Sequence, residues 1–304
     1  MKLFSPDAAH WYQRDGQPLH TVLSGKGEPR PTTLRDARKL DLLPSVTNIL
    51  GVIAKPELTA WLQEQAVMAA LTLPRIAGET EDAFAKRVVE DSLTTRDGAA
   101  DFGTAFHHGA EHIAKTLEVD PADLLSAWLN RYRDWFQENV LTCRWTEQRV
   151  VSNQFGYAGT ADLLIEHKVH GLCLVDLKTQ RISTPHPGPL PDRGGEGGGA
   201  QGTARPTKVK PYKSWAYQLA AYRKALGVEA RCINLIMNSV IPEMPIEHVW
   251  GEAEMDAGLR AFLAARELWV IEKGYDPALA GRATTPSPQP SPRGEGAGTM
   301  VLTA

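Results

Sequence analysis

Residues 159–179 read GTADLLIEHKVHGLCLVDLKT. Two apolar runs, ADLLI and LCLVDL, flank the segment HKVHG, and a hairpin folded about Val169 brings them side by side. Side chains alternate along a strand, so Asp176 and Lys178 share one face while Leu177 points to the other. In that register Asp162 falls opposite Asp176, and Thr160 opposite Lys178. Directly opposed residues have Cβ atoms roughly 4.5–5.5 Å apart, where like charges repel. Two facing carboxylates on strands this apolar need relief: one is protonated, or a cation sits between them. A hard divalent ion suits the second case, because Mg²⁺ takes one or two carboxylates and keeps several waters. Such an ion lowers the pKa of its water and offsets charge on a phosphate oxygen. Lys178, one alternation beyond Asp176, is then placed to orient or deprotonate an attacking water.

On either side of the hairpin lie helices with polar pairs. In FGTAFHHGAEHI (102–113), His107 and Glu111 are four apart and share a face. His108 and His112 pair in the same way, but no HExxH is present, which disfavours a zinc hydrolase. In SWAYQLAAY (214–222), Gln218 and Tyr222 share a face inside a basic run. That run holds Arg205, Lys208, Lys210, Lys213, Arg223, Lys224 and Arg231 against one acid, Glu229.

Periodicity supplies the frame. Trp11 to Leu23 reads as a hairpin around Asp15-Gly16. Ser45 suits an N-cap and Pro56 opens a helix. Helices are expected over Glu81 to Leu93, Phe102 to Leu117 and Pro121 to Val140. The last carries a wide apolar stripe of Leu124, Leu125, Trp128, Leu129, Tyr132, Trp135 and Phe136, read as core packing rather than a base-stacking platform. Strands follow over Arg149 to Ser152, Gly159 to Glu166 and Leu172 to Thr179, then helix Tyr212 to Leu226, strand Ala230 to Met237 and helix Glu252 to Lys273. The expected class is α/β with a helical N-terminal half.

With 42% hydrophobic and 23% charged residues in 304, the composition is that of an ordinary globular chain. A net charge of -3 advertises no global nucleic-acid field. No apolar run approaches the roughly 20 residues that span a bilayer, and the N-terminus lacks a signal-peptide apolar region. The cytoplasm is the expected location, with no membrane partner. Cys143, Cys173 and Cys232 are far apart with no CxxC pair, which argues against an iron–sulfur cluster, a Cys-only zinc site or a disulfide framework. Thr184 to Ala200 and Thr285 to Gly298 repeat one pattern of alternating prolines followed by a Gly–Glu–Gly run, and can form no packed element. They are read as a disordered insertion, within 184–204, and a disordered tail, 283–304.

Taken in order, GTxxHxxxE (Gly103 to Glu111), GTxD (Gly159 to Asp162), DxK (Asp176 to Lys178) and QxxxY (Gln218 to Tyr222) resemble the PD-(D/E)XK nuclease superfamily. The resemblance is to its RecB-like branch, which includes mitochondrial genome maintenance exonuclease. It implies a restriction-endonuclease-like core over 101–282, a mixed sheet flanked by helices, preceded by a hairpin and helical region over 1–100. It implies an Mg²⁺- or Mn²⁺-dependent deoxyribonuclease, an exonuclease serving phage, prophage or bacterial DNA replication, recombination or repair. Asp162, Asp176, the Leu177 carbonyl and His107 would ligate the metal, and Lys178 would act on the water. Gln218 and Tyr222 would position DNA or the lysine, with Glu111 and Glu147 as accessory acids and Lys213 as a DNA contact. The implied partners are DNA and a recombination or single-strand-binding protein. The cluster cysteines of some branch members are missing, so no iron–sulfur cofactor is implied. The insertion falls between the Lys178 strand and the Gln218 helix, which leaves a DNA-processing subunit with impaired catalysis as the alternative.

Overall fold

A computed structural model describes residues 10–182, 209 and 211–278. The elements in chain order are β1 (Trp11–Tyr12), β2 (Thr21–Leu23), β3 (Pro29–Pro31), α1 (Leu34–Leu40), β4 (Leu43–Pro44), α2 (Val46–Leu50), α3 (Pro56–Thr72), α4 (Glu81–Thr116) and α5 (Ser126–Asn139). Then come β5 (Val140–Ser152), β6 (Tyr157–His167), β7 (Gly171–Gln180), α6 (Lys213–Leu226), β8 (Arg231–Asn238), β9 (Ile246–Val249) and α7 (Glu252–Lys273). The expected insertion at 184–204 and the tail at 283–304 lie outside the described residues.

A five-stranded mixed sheet in the order β5-β6-β7-β8-β9 forms the centre. β5, β6 and β7 are an antiparallel meander, β8 runs parallel to β7, and β9 closes the edge antiparallel to β8. β7 and β8 are covered on both sides, which is why they read as continuous apolar runs. Cys173, Val175, Leu177, Ile233, Leu235 and Met237 pack towards α4 and α5, against Phe106, Ile113, Tyr132 and Phe136. Leu174 and Cys232 face the other way, onto Leu219 and Ala220 of α6 and Phe262 of α7. Each such large side chain contributes on the order of 1.5–3 kcal/mol when fully buried. The chain is thus α/β, a mixed sheet flanked by helices. Among the described residues, no helix is long and apolar enough to cross a membrane.

The N-terminal elements are tied into this core. Gly16, at φ +87, makes the expected turn, and Tyr12 bridges Pro18. The strands it joins pair elsewhere, however: β1 with β4, and β2 with β3 in a second hairpin. Ser45 caps α2, its hydroxyl accepting from the Asn48 amide at 3.0 Å. Val46, Ile49 and Trp11 join the α6/α7 cluster, with Trp11 6.2 Å from Trp269. Pro56 starts α3 as expected.

Several expected bounds differ from the structure, and β5 begins at Val140 rather than at the expected Arg149. Glu81 to Thr116 is one helix of 36 residues, not two. The linking residues contain no proline, and lone Gly98 costs only about 1 kcal/mol against alanine. α5 begins at Ser126 because Asp120 and Asp123 capture the amides of Ala122 and Leu125 at 2.8 and 2.7 Å, closing turns instead of a helix. Leu124 is consequently 95% exposed and leaves the stripe, whereas Leu129, Tyr132, Trp135 and Phe136 are core. The short strand β9 was not expected. Cys173 and Cys232 are buried free thiols and Cys143 is partly buried.

Candidate metal centre

The β6–β7 register is symmetric about Val169, from His167↔Gly171 to Leu163↔Val175. One more step would set Asp162 against Asp176, and there the ladder stops. Asp162 instead accepts the Leu177 amide on its Oδ2 at 2.6 Å. The cause lies on the other neighbour. β5 pairs with β6 at Thr146↔Leu163 and again at Gln148↔Ala161, skipping Glu147 and Asp162 between them. Glu147 has φ +48, a left-handed conformation costing a non-glycine residue about 1–2 kcal/mol. The kink breaks the alternation of β6. Ala161 packs into the α6/α7 cluster and Leu163 into the α4/α5 cluster, although residues two apart normally share a face. Asp162, between them, turns towards α4. Its partner in the expected facing pair points towards α6, so the two carboxylates flank a gap rather than oppose each other. Thr160 pairs with Arg149, not Lys178, and its hydroxyl meets the Tyr12 hydroxyl at 3.3 Å.

In the gap, His107, Glu147 and Asp162 bring ligand atoms within 4.8 Å of one another. His107 Nδ1 lies 3.7 Å from Asp162 Oδ2. The expected ligands His107 and Asp162 thus come together, and Glu147, expected only as an accessory acid, joins them. Asp176 stands outside this group. The Leu177 N–H faces Asp162, and a strand residue's carbonyl points to the same side as its N–H, so that carbonyl also faces the gap. Burial, then the charges of Asp162 and Glu111, push the Glu147 carboxyl up to about 7, with Lys115 opposing. Glu111 sits one turn beyond His107 and holds Lys115 at 2.5 Å. One imidazole, two crowded carboxylates and a carbonyl make an oxygen-rich donor set suited to Mg²⁺ or Mn²⁺, the nitrogen favouring Mn²⁺. His108 and His112 are exposed and take no part.

Across the gap, Asp176 is 2% exposed and fully engaged. Its Oδ1 receives Lys178 Nζ at 3.0 Å and Gln218 Nε2 at 3.1 Å. Its Oδ2 lies 2.8 Å from Lys178 Nζ and receives Asn234 Nδ2 at 2.6 Å. Burial pushes the Asp176 carboxyl up to about 6, the Lys178 charge opposing and the Asp162 charge reinforcing. Lys178 also reaches Gln218 Oε1 at 3.3 Å, and Gln218 donates to the Tyr222 hydroxyl at 3.3 Å. The expected pairing of Gln218 with Tyr222 therefore exists and serves Lys178. Lys213, at the start of α6, is exposed.

The motif glycines explain how these parts close up. A Cβ on Gly159 would lie 2.7 Å from the Tyr222 ring, and one on Gly103 3.2 Å from the Thr179 hydroxyl. Sequence reasoning missed Asn234 and the direct place of Glu147. Asn234 left a signal, a lone amide in the buried run RCINLIM. The backbone reversal at Glu147 left none. No protein-family model matches the chain, and no curated protein matches it.

Proposed function

We propose that the chain is an Mg²⁺- or Mn²⁺-dependent deoxyribonuclease with a restriction-endonuclease-like core, acting as an exonuclease in phage, prophage or bacterial DNA replication, recombination or repair. One observation carries this reading: a metal-competent group, His107–Glu147–Asp162, abuts a lysine held on a buried carboxylate, Asp176–Lys178. In this reading His107, Glu147, Asp162 and the Leu177 carbonyl hold the ion. When bound, the ion supplies positive charge to a phosphate oxygen and an acidified water. Lys178 orients the attacking water and offsets charge on the phosphate, its amine steadied by Asp176 and Gln218. Tyr222 backs Gln218 from the core side, and the exposed Lys213 contacts the DNA backbone.

The proline-rich insertion between β7 and α6 favours a second reading, a DNA-binding subunit of the same fold with impaired catalysis. One assay separates the two. End-labelled single- and double-stranded DNA is incubated with purified protein and Mg²⁺, Mn²⁺ or EDTA. Progressive shortening with metal and none with EDTA is expected. Retention of DNA without cleavage supports the second reading, and neither binding nor cleavage removes both.

A further inference from the structure

Behind the Asp176 carboxylate runs a buried polar chain that the proposed chemistry leaves unassigned. Asn234 stands beside Asp176 in the parallel β7–β8 register and is fully buried. Its Nδ2 donates to Asp176 Oδ2 at 2.6 Å and to the Asp176 carbonyl at 3.3 Å. Its Oδ1 accepts from Trp250 Nε1 at 2.7 Å. Trp250 follows β9, is buried, and packs edge-on to His248 with ring centroids 4.3 Å apart.

The order of atoms in this chain is forced. A side-chain amide has nearly the same shape either way round, so Asn234 alone does not decide which end meets Asp176. An indole N–H can only donate, so Trp250 fixes Oδ1 on its own side and leaves Nδ2 for the carboxylate. The flipped amide would set oxygen against a carboxylate oxygen and N–H against N–H, two unpaired contacts in a dry interior. Trp250 therefore acts at a distance, through the handedness of one amide.

We infer that Trp250 and Asn234 are positioning residues, which lock the Asp176 carboxylate and through it seat the Lys178 amine. What that seat is for rests on the nuclease reading above. The seat itself is a matter of geometry. Asn234 is the partner that holds Asp176 from the protein interior, while Lys178 and Gln218 hold it from the cleft side. Without that anchor the carboxylate is held from the cleft side alone, by Lys178 and Gln218, and the seat of the Lys178 amine is less firmly set.

The test is Trp250→Phe, which keeps an aromatic ring in the cluster and removes only the donor, compared with Asn234→Leu and the double variant. Expected is a loss in kcat for DNA cleavage of about tenfold or more, the usual scale for supporting partners. KM for DNA and Mn²⁺ affinity measured by titration calorimetry should not change, because neither residue touches the His107–Glu147–Asp162 group. The double variant should lose no more than Asn234→Leu alone. A melting temperature that falls with kcat intact would reduce both residues to structural parts and overturn the inference. Losses that multiply in the double variant would do the same. If the wild-type protein cleaves no DNA, the nuclease reading fails separately, and NMR decides the seat. Asp176→Asn should then move the Trp250 indole N–H resonance through Asn234, and an unmoved resonance overturns the coupling.

Discussion

The β6–β7 hairpin carries polar groups at both ends, and the two ends are built on opposite principles. At the loop, His167 is 2% exposed and wholly satisfied. Its Nδ1 accepts the amides of Val169 and His170 at 3.1 and 3.3 Å, which puts its proton on Nε2, 3.3 Å from Glu247 Oε1. The same oxygen takes Trp135 Nε1 at 2.7 Å. At the open end the ladder is broken, Glu147 is in a left-handed conformation, and its carboxyl is crowded by Asp162. A buried imidazole with both ring nitrogens engaged is architecture. A cluster that leaves acids crowded against a backbone break holds free energy in reserve for a ligand.

The sharpest way to break this contrast is to remove Lys178. Lys178→Met keeps the side-chain stem and should lower DNA cleavage roughly 10²–10⁴-fold. It should also destabilise, because losing one partner of a buried ion pair costs about 3–5 kcal/mol. That loss should shrink at acid pH, where Asp176 takes a proton. Wild-type cleavage rates in a homogeneous, folded preparation would remove Lys178 from the chemistry.

Metal binding should divide the two ends. At about a hundred times its Kd, Mn²⁺ should stabilise the wild type by about 2.7 kcal/mol, seen as a rise in melting temperature. Glu147→Gln combined with Asp162→Asn should abolish that rise and leave the metal-free protein no less stable. Glu247→Leu should lower the baseline by about 1–3 kcal/mol, stranding Trp135 and His167, yet keep the full response to Mn²⁺. An equal Mn²⁺ response in the first variant would place the ion elsewhere.

Acid dependence sharpens the contrast further. Asp176 and Glu147 hold their protons more tightly folded, at about 6 and about 7, than at their ordinary values of 3.8 and 4.5. The folded state binds more protons at these two groups across that window, so their contribution to metal-free stability is greatest below about pH 4 and falls as pH rises to about 7. The change is on the order of 2 kcal/mol for Asp176 and smaller for the half-buried Glu147. Chemical denaturation at about pH 5 and about pH 8 measures it, and saturating Mn²⁺ should flatten the slope. A metal-free protein more stable at the higher pH would contradict the crowding.

The smallest expected effect concerns packing. Gly159→Ala places a methyl against the Tyr222 ring, 2.7 Å from its nearest carbon, and should cost at least about 1 kcal/mol. Gly171→Ala, at φ +72 in the loop with open space around it, should cost about 1 kcal/mol by backbone strain alone and leave cleavage unchanged. Equal losses of cleavage in both would show that Gly159 has no special bearing on the site.

Much of this was legible because strand period and turn length are local properties. The symmetry about Val169, the shared face of Asp176 and Lys178, the Ser45 cap and the bounds of α7 all follow from neighbours in sequence. The direct opposition of Asp162 and Asp176 was not to be had that way. Its failure originates at Glu147, whose left-handed backbone interrupts the β5–β6 ladder between Thr146↔Leu163 and Gln148↔Ala161 without changing its register. Asn234 and Trp250 likewise gain meaning only when β7, β8 and the end of β9 are set side by side. Local residues gave the parts of the site, and non-local backbone geometry decided which of them face each other.

One consequence concerns mechanics. At about 1.5 Å per residue, the uninterrupted α4 is a rod roughly 54 Å long. His107 and Glu111 ride near one end, and the other end is braced by α3, of which Leu71 is 76% exposed and Ala69 alone is buried among its described side chains. The His107 end of α4 is anchored in the core by Phe106, Ala110 and Ile113, whereas α3 beside its other end presents almost all of its described surface to solvent.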